Sequence, residues 1–164
     1  MKHLVGHSRN GAAVYVDLIH SEAAKHIAHQ PHVLGLVGEV LKQTTLKGPE
    51  VTIEHDMGRT IGYSFVVKTT DKDTIFYAQL LRDSLYTRFV KNGKPLSTQY
   101  LTLILYRQDD KAYELHDTWI GRIRPPRPGS TNETSDSKPY WDTHALVLDN
   151  QPMQSRTVTK ICPY

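Results

Sequence analysis

The sequence predicts an α+β fold, with an N-terminal helix pair packed on a mainly antiparallel sheet of about five to seven strands. Three observations predict it. Ser97–Gly121 reads as a hairpin, with a β-rich run over Thr98–Arg107, a polar turn at Asp109-Asp110-Lys111 and a second run over Ala112–Ile120. Residues 21–43 carry helical patterning, and most of the remainder alternates in strand fashion between Gly, Pro, Asn and Asp turns. Within the hairpin, Leu101 to Leu105 is apolar on both faces apart from Thr102, which places the first strand inside a sheet rather than at its edge.

Residues 1–12 are polar and read as a flexible tail, followed by one domain over 13–150. Ala13–Ile19 has strand character. Ser21 is placed to cap a helix over Glu22–His29, because its hydroxyl can accept from the unpaired amides of a first turn. Pro31 fits the first turn of a second helix running to about Gln43, with Val33, Leu34, Leu36, Val37, Val40 and Leu41 on its buried arc. Gly48-Pro49 ends this section. Val51–Asp56 alternates, and Ile61, Tyr63, Phe65 and Val67 share a face of the next strand. Thr74–Leu81 is ambiguous: its β-branched and aromatic start favours strand, while its AQLL end tolerates helix. Leu85–Val90 is extended, and Asn92-Gly93 turns the chain toward the hairpin. Residues 122–139, RIRPPRPGSTNETSDSKP, form a long Pro- and Ser-rich loop, stiff where the prolines fix φ. Tyr140–Thr143 reads as a short turn, His144–Leu148 as a last core strand, and 151–164 as a tail with an edge strand near Thr157–Ile161.

Composition narrows the functional classes. An apolar fraction of 38% is that of an ordinary water-exposed protein, and no run approaches the ~20 apolar residues of a membrane span. The N-terminal residues lack a secretory h-region, so a cytoplasmic address is the default expectation. The single cysteine, Cys162, excludes an internal disulfide and cannot alone build a thiolate metal site. No phosphate-cradling glycine loop, GxSxG elbow or HExxH helix occurs, and nothing in the sequence calls for a cofactor. The formal charge of +3 is mild, but its cations cluster at Arg82, Arg88, Lys91 and Lys94 and again at Arg122, Arg124 and Arg127.

Nine histidines are the chain's most conspicuous chemical feature. Glu22, His26 and His29 share one helix face at a spacing that can hold a divalent ion, yet the same pattern is simply the polar side of an amphipathic helix, so no metal site is assigned. His55 follows Val51 and Ile53 on one strand face, His144 shares its side with Leu146 and Leu148, and Asp117 lies between Leu115 and Trp119 where a core residue is expected. Titratable groups on apolar faces need partners. Two imidazoles can serve as acid and base in cleaving a phosphodiester, with Asp117 orienting one ring, Arg82 or Arg88 stabilising charge on phosphorus and Tyr86 positioning the substrate. For any one histidine, a single satisfied hydrogen bond at a strand end is the simpler explanation. Leu85–Lys94 interleaves aromatic and basic residues, as does Trp119 with Arg122, Arg124 and Arg127, a pattern suited to stacking bases while cations meet phosphates.

Two helices before an antiparallel sheet, with His55, Arg82, Tyr86-Thr87, Arg88 and His144 spread along it, resemble the barnase–EndoU–RelE group of small metal-independent ribonucleases. The N-terminal strand and the RIRPPRPG loop depart from that pattern. The resemblance implies RNA cleavage by His55 and His144, and, for a toxin, a neutralising partner protein. The alternative expectation is a non-catalytic module that binds RNA, a small ligand or a protein.

Overall fold

The computed structural model describes residues 3–8, 13–17, 30–80, 85–147 and 158–162. The architecture is α+β with mostly antiparallel strands, and strands dominate it. The chain forms two compact units. Unit 1 comprises Met1–Gly62 and Thr98–Arg122, and unit 2 comprises Tyr63–Ser97 and Ile123–Tyr164.

Unit 1 is built on a six-stranded sheet. Its strands are β1 (His3–Ser8), β2 (Ala13–Asp17), β3 (Thr45–Leu46), β4 (Glu50–Asp56), β10 (Tyr100–Asp109) and β11 (Ala112–Ile120), in the order β3-β1-β2-β11-β10-β4. The expected hairpin is β10 and β11, and β10 lies inside the sheet, antiparallel to β11 on one side and β4 on the other. Residues 3–8, read from sequence as tail, form β1, which pairs antiparallel with β2 and parallel with β3. Helix α1 (Val33–Gln43) is the second of the two expected helices; the first, over Glu22–His29, lies outside the described residues. Val33, Leu36, Val37, Val40 and Leu41 of α1 are buried in one cluster with Leu101, Leu103, Leu105, Tyr113 and Leu115. The helical periodicity of one segment and the strand periodicity of another thus meet in a single core. Thr102, the polar interruption, is fully buried and satisfied: its hydroxyl donates to Gly121 O at 2.8 Å, and its carbonyl accepts from Thr118 Oγ1 at 2.9 Å.

Unit 2 holds a five-stranded sheet of β6 (Val66–Lys68), β7 (Ile75–Leu80), β8 (Tyr86–Val90), β12 (His144–Val147) and β13 (Val158–Cys162), in the order β13-β7-β8-β12-β6. All neighbours are antiparallel except β8 and β12. Within the ambiguous run, Ile75–Leu80 is strand, set by pairing on both sides of β7. Phe76 and Phe89 stack at 5.4 Å with Ala78 and Leu146 around them, while Val90, Ala145 and Val147 form a second cluster with Val67 and Ile75. The single strand expected through Ile61–Val67 is interrupted at Phe65, where Ser64 Oγ bonds both the amide and the carbonyl of Val66. Two short strands result, β6 in the five-stranded sheet and β5 (Gly62–Ser64), which pairs with β9 (Leu96–Thr98). Two larger sheets and this ribbon stand in place of the one sheet of five to seven strands.

The Pro-rich loop gives way at its end to a short helix, α2 (Ser137–Trp141). The loop is tied down along its length. Trp141 Nε1 donates to Pro125 O at 3.1 Å, the Gly129 amide donates to Glu133 Oε2 at 2.8 Å, and the Thr134 amide donates to Ser137 Oγ at 3.0 Å. Gly129 occupies φ +80°, a left-handed turn conformation in which a side chain is strained. No helix among the described residues is long and apolar enough to cross a membrane.

Candidate functional site

The sequence-predicted residues divide between the two units. His55, Asp117, Trp119 and Arg122 belong to unit 1; Tyr86, Arg88, Lys91, Lys94, Arg124, Arg127 and His144 belong to unit 2, and Arg82 lies outside the described residues. His144 is the only histidine in the sequence of unit 2, so neither unit by itself holds the His55–His144 pair.

His55 sits on β4 opposite Leu101, half-buried on the side of the sheet that carries Leu103 and Leu105. Asp117 departs from the sequence reading because β11 contains a bulge. Ile104 pairs with Asp117 but Leu105 pairs with Leu115, leaving His116 as an extra residue. The bulge reverses the alternation, so Thr118 and Ile120 continue the buried series of Tyr113 and Leu115 while Asp117 and Trp119 are only half-buried. Asp117 Oδ1 accepts the Thr118 amide at 2.8 Å. On the same strand pair the Tyr106 ring meets His116 at 4.6 Å, and the Tyr106 phenol is shifted upward by burial and then by the negative charges of Glu50, Asp117 and Glu114.

Arg122 and Trp119 have structural work in unit 1. The Arg122 guanidinium contacts Glu54 Oε1 through Nε at 3.1 Å and Nη2 at 2.8 Å, and lies 4.5 Å above the Tyr100 ring. Its hydrogen bond to Glu54 shifts its pKa upward, and its carbonyl accepts from Trp119 Nε1 at 2.9 Å.

In unit 2 the half-buried His144 ring stacks on Tyr140 at 3.9 Å with planes 4° apart. Its Nδ1 lies 2.9 Å from Tyr140 O, which can only accept, and 3.0 Å from Thr143 Oγ1. Burial raises the Tyr140 pKa, opposed by the positive charge of Arg124.

One hollow in unit 2, about 260 Å³ in volume, gathers three of the predicted residues: Tyr86, Arg88 and Arg127. Its sheet side follows from strand register. Tyr77 on β7 pairs with Arg88 on β8, and Tyr86 is two residues from Arg88 and so on the same face. Arg127 and Pro128 of the loop line it from another side, and Lys138, Trp141 and Asp142 from α2 and its end complete it. Both arginines are braced. Arg88 Nη1 donates to Thr69 Oγ1 at 2.8 Å and to His144 O at 3.1 Å, and Arg127 Nη1 donates to the buried Thr87 hydroxyl. Lys138 pairs with Asp142 at 2.5 Å. Tyr86 is 42% exposed.

Sequence reasoning missed Tyr77, Lys138, Trp141 and Asp142. Only the proximity of Tyr140-Trp141 to the basic loop hinted at the last group, and Tyr77 becomes a site residue solely through its register with Arg88. Lys91 and Lys94 are exposed near the β8–β9 turn and do not line the hollow. Among the described residues no group of three or more His, Cys, Asp or Glu side chains is placed to hold a metal ion, and the Glu22/His26/His29 set lies outside them. No family model, curated protein or solved structure matches this chain.

Proposed function

We propose that the protein is an RNA-binding module that holds a single strand at the unit 2 hollow. The observation that carries this reading is the convergence of three aromatic rings, Tyr77, Tyr86 and Trp141, with three cations, Arg88, Arg127 and Lys138, on one concavity. Guanidinium groups meet phosphate oxygens through paired N–H donors, and bases of any identity stack on an aromatic face. The braces on Arg88 and Arg127 reduce the entropy lost when a phosphate is bound. Trp141 is 5% exposed with its N–H spent on Pro125 O, so it backs the wall of the hollow, and stacking falls to Tyr86, which is 42% exposed.

Stacking on an aromatic platform contributes about 1–3 kcal/mol per base. Tyr86→Ala is therefore expected to weaken binding of an internally labelled RNA dodecamer by roughly 5- to 150-fold in fluorescence anisotropy, with the melting temperature little changed because Tyr86 is exposed. An unchanged affinity would remove Tyr86 from the site, and no binding by the native protein would end the reading.

Cleavage of the bound strand is a second reading. It is favoured by the contact that anchors His144 Nδ1 at the Tyr140 carbonyl and leaves Nε2 on the far side of the ring, and by the bond from Arg88 to the His144 carbonyl. The two-histidine mechanism is replaced in that reading by one imidazole. RNA that stays intact in excess EDTA supports the binding module, whereas metal-independent cleavage that disappears in His144→Ala supports the nuclease.

A further inference from the structure

The six-stranded sheet of unit 1 ends at β4, and two bonds at the ends of the β4–β10 ladder fix which way each residue of β4 turns its backbone. The Arg107 amide donates to Pro49 O at 2.8 Å, and the Met57 amide donates to Gln99 O at 2.9 Å. Bonding to one neighbour alternates along an antiparallel strand. Val51, Ile53 and His55 therefore bond to β10, while Glu50, Thr52, Glu54 and Asp56 turn their amides and carbonyls the other way. Among the described residues no strand pairs with that outer side. Glu50, Thr52 and Asp56 are exposed, so solvent reaches the row. Native edges are commonly blunted by proline, lysine or a bulge. Glu50–Asp56 contains no proline and no lysine, and its register against β10 is unbroken.

Charge decides what fits this edge. Glu50 lies across from Tyr106, whose neighbour on the other side is Glu114. Glu114 Oε2 accepts from the neutral amide of Gln108 at 3.2 Å, and the Asp56 oxygens accept from the Gly58 amide at 2.8 Å and Gln99 Nε2 at 2.9 Å. Such partners leave the negative charge in place. The Tyr106 phenol, raised first by burial, is raised further by Glu50, Asp117 and Glu114. Glu54 differs, since its charge is met by Arg122. A second copy of the chain, aligned antiparallel about Ile53, would set Glu50 against Asp56 at both ends, and like charges directly opposite are destabilising. We infer that β4 accepts an extended segment of a partner protein as an added strand, with lysine or arginine opposite Glu50 and Asp56 and apolar residues on the face of Val51 and Ile53. This surface uses unit 1 alone and stands independently of the RNA-binding reading.

The probe is a fluorescently labelled peptide, Lys-Val-Thr-Val-Thr-Val-Lys with blocked ends, titrated with the full chain in fluorescence anisotropy beside a control with glutamate in place of both lysines. A cross-strand charge pair changes affinity by roughly 1.5- to 5-fold, so exchanging attraction for repulsion at both ends should favour the lysine peptide by at least about fourfold. Thr52→Pro removes an outward amide without touching a bond to β10, a position where an edge strand tolerates proline. That variant should melt close to the native protein and bind the lysine peptide at least about fivefold more weakly. Glu50→Lys, at an exposed position, should narrow or reverse the preference between the two peptides. Hydrogen exchange at the Thr52 amide should slow when the lysine peptide is bound. Equal affinity for the two peptides, no binding of either at about 1 mM, or binding untouched by Thr52→Pro would overturn the inference. So would a dimer of the free protein with the Thr52 amide already protected, since a second copy would then hold the edge.

Discussion

Exchanging Arg88 and Arg127 together for alanine is expected to lower affinity for single-stranded RNA by about two to four orders of magnitude. Each hydrogen bond from a charged donor contributes roughly 1.5–3 kcal/mol, and two guanidiniums facing one phosphate group give about 3–6 kcal/mol. The plot of log affinity against log salt should flatten as well. A single strand releases about 0.7 counterions per neutralised phosphate, so losing the one phosphate that both arginines face reduces the slope by roughly 0.7. Arg88 also ties β8 to Thr69 and to the carbonyl of β12's first residue, so its removal has a structural component. The double lysine variant separates the two effects. Lysine keeps the charge but lacks the planar fork, so it should retain most of the salt slope while losing much of the affinity. A double alanine variant that melts like the native protein and binds RNA undiminished would place the nucleic acid elsewhere.

Leu103→Ala is expected to cost about 3 kcal/mol of stability. Leu103 is fully buried at the middle of β10, flanked by Thr118 on β11 and Ile53 on β4 and packed in the cluster that α1 closes. Truncating a buried leucine removes transfer free energy and leaves a cavity that a strand held on both sides cannot collapse, for a total of about 2–5 kcal/mol. With a urea m-value near 2 kcal/mol/M, the unfolding midpoint should fall by roughly 1.5 M. Leu103→Met, which conserves volume, should cost less than about 1.5 kcal/mol. A loss under about 1 kcal/mol for the alanine variant would mean that β10 is not the centre of the unit 1 core.

The elements legible in the sequence were those whose pattern is set locally. The β10–β11 hairpin announces itself through an apolar run, an Asp-rich turn and a second run, and α1 through its apolar arc after Pro31. The turn at Asn92-Gly93 is legible for the same reason, and Asn92 occupies φ +56°, where asparagine is tolerated better than most residues. Features that depend on distant pairing were not legible. HLVGHS reads as a polar tail, yet it becomes β1 because β2 and β3 supply hydrogen-bond partners on both sides. Asp117 was assigned to the core by strict alternation, and one bulged residue moved it to the other face. The division into two units is hidden because unit 1 consists of two separated stretches, with part of unit 2 inserted between them. The interleaving of aromatic and basic residues drew attention to Tyr86, Arg88 and Arg127, which line one hollow. It drew equal attention to Trp119 and Arg122, which sequence alone could not distinguish from them. Trp119 donates to the Arg122 carbonyl, and the Arg122 guanidinium is engaged with Glu54 and Tyr100.

Photo-crosslinking tests the central claim most directly. A 4-thiouridine-substituted oligonucleotide irradiated with the native protein, followed by peptide mapping, should place its crosslinks on Tyr77 or Tyr86, with competition by unlabelled RNA. Crosslinks confined to unit 1 peptides around Tyr100, Trp119 and Arg122, or none above the level given by an unrelated protein, would contradict it.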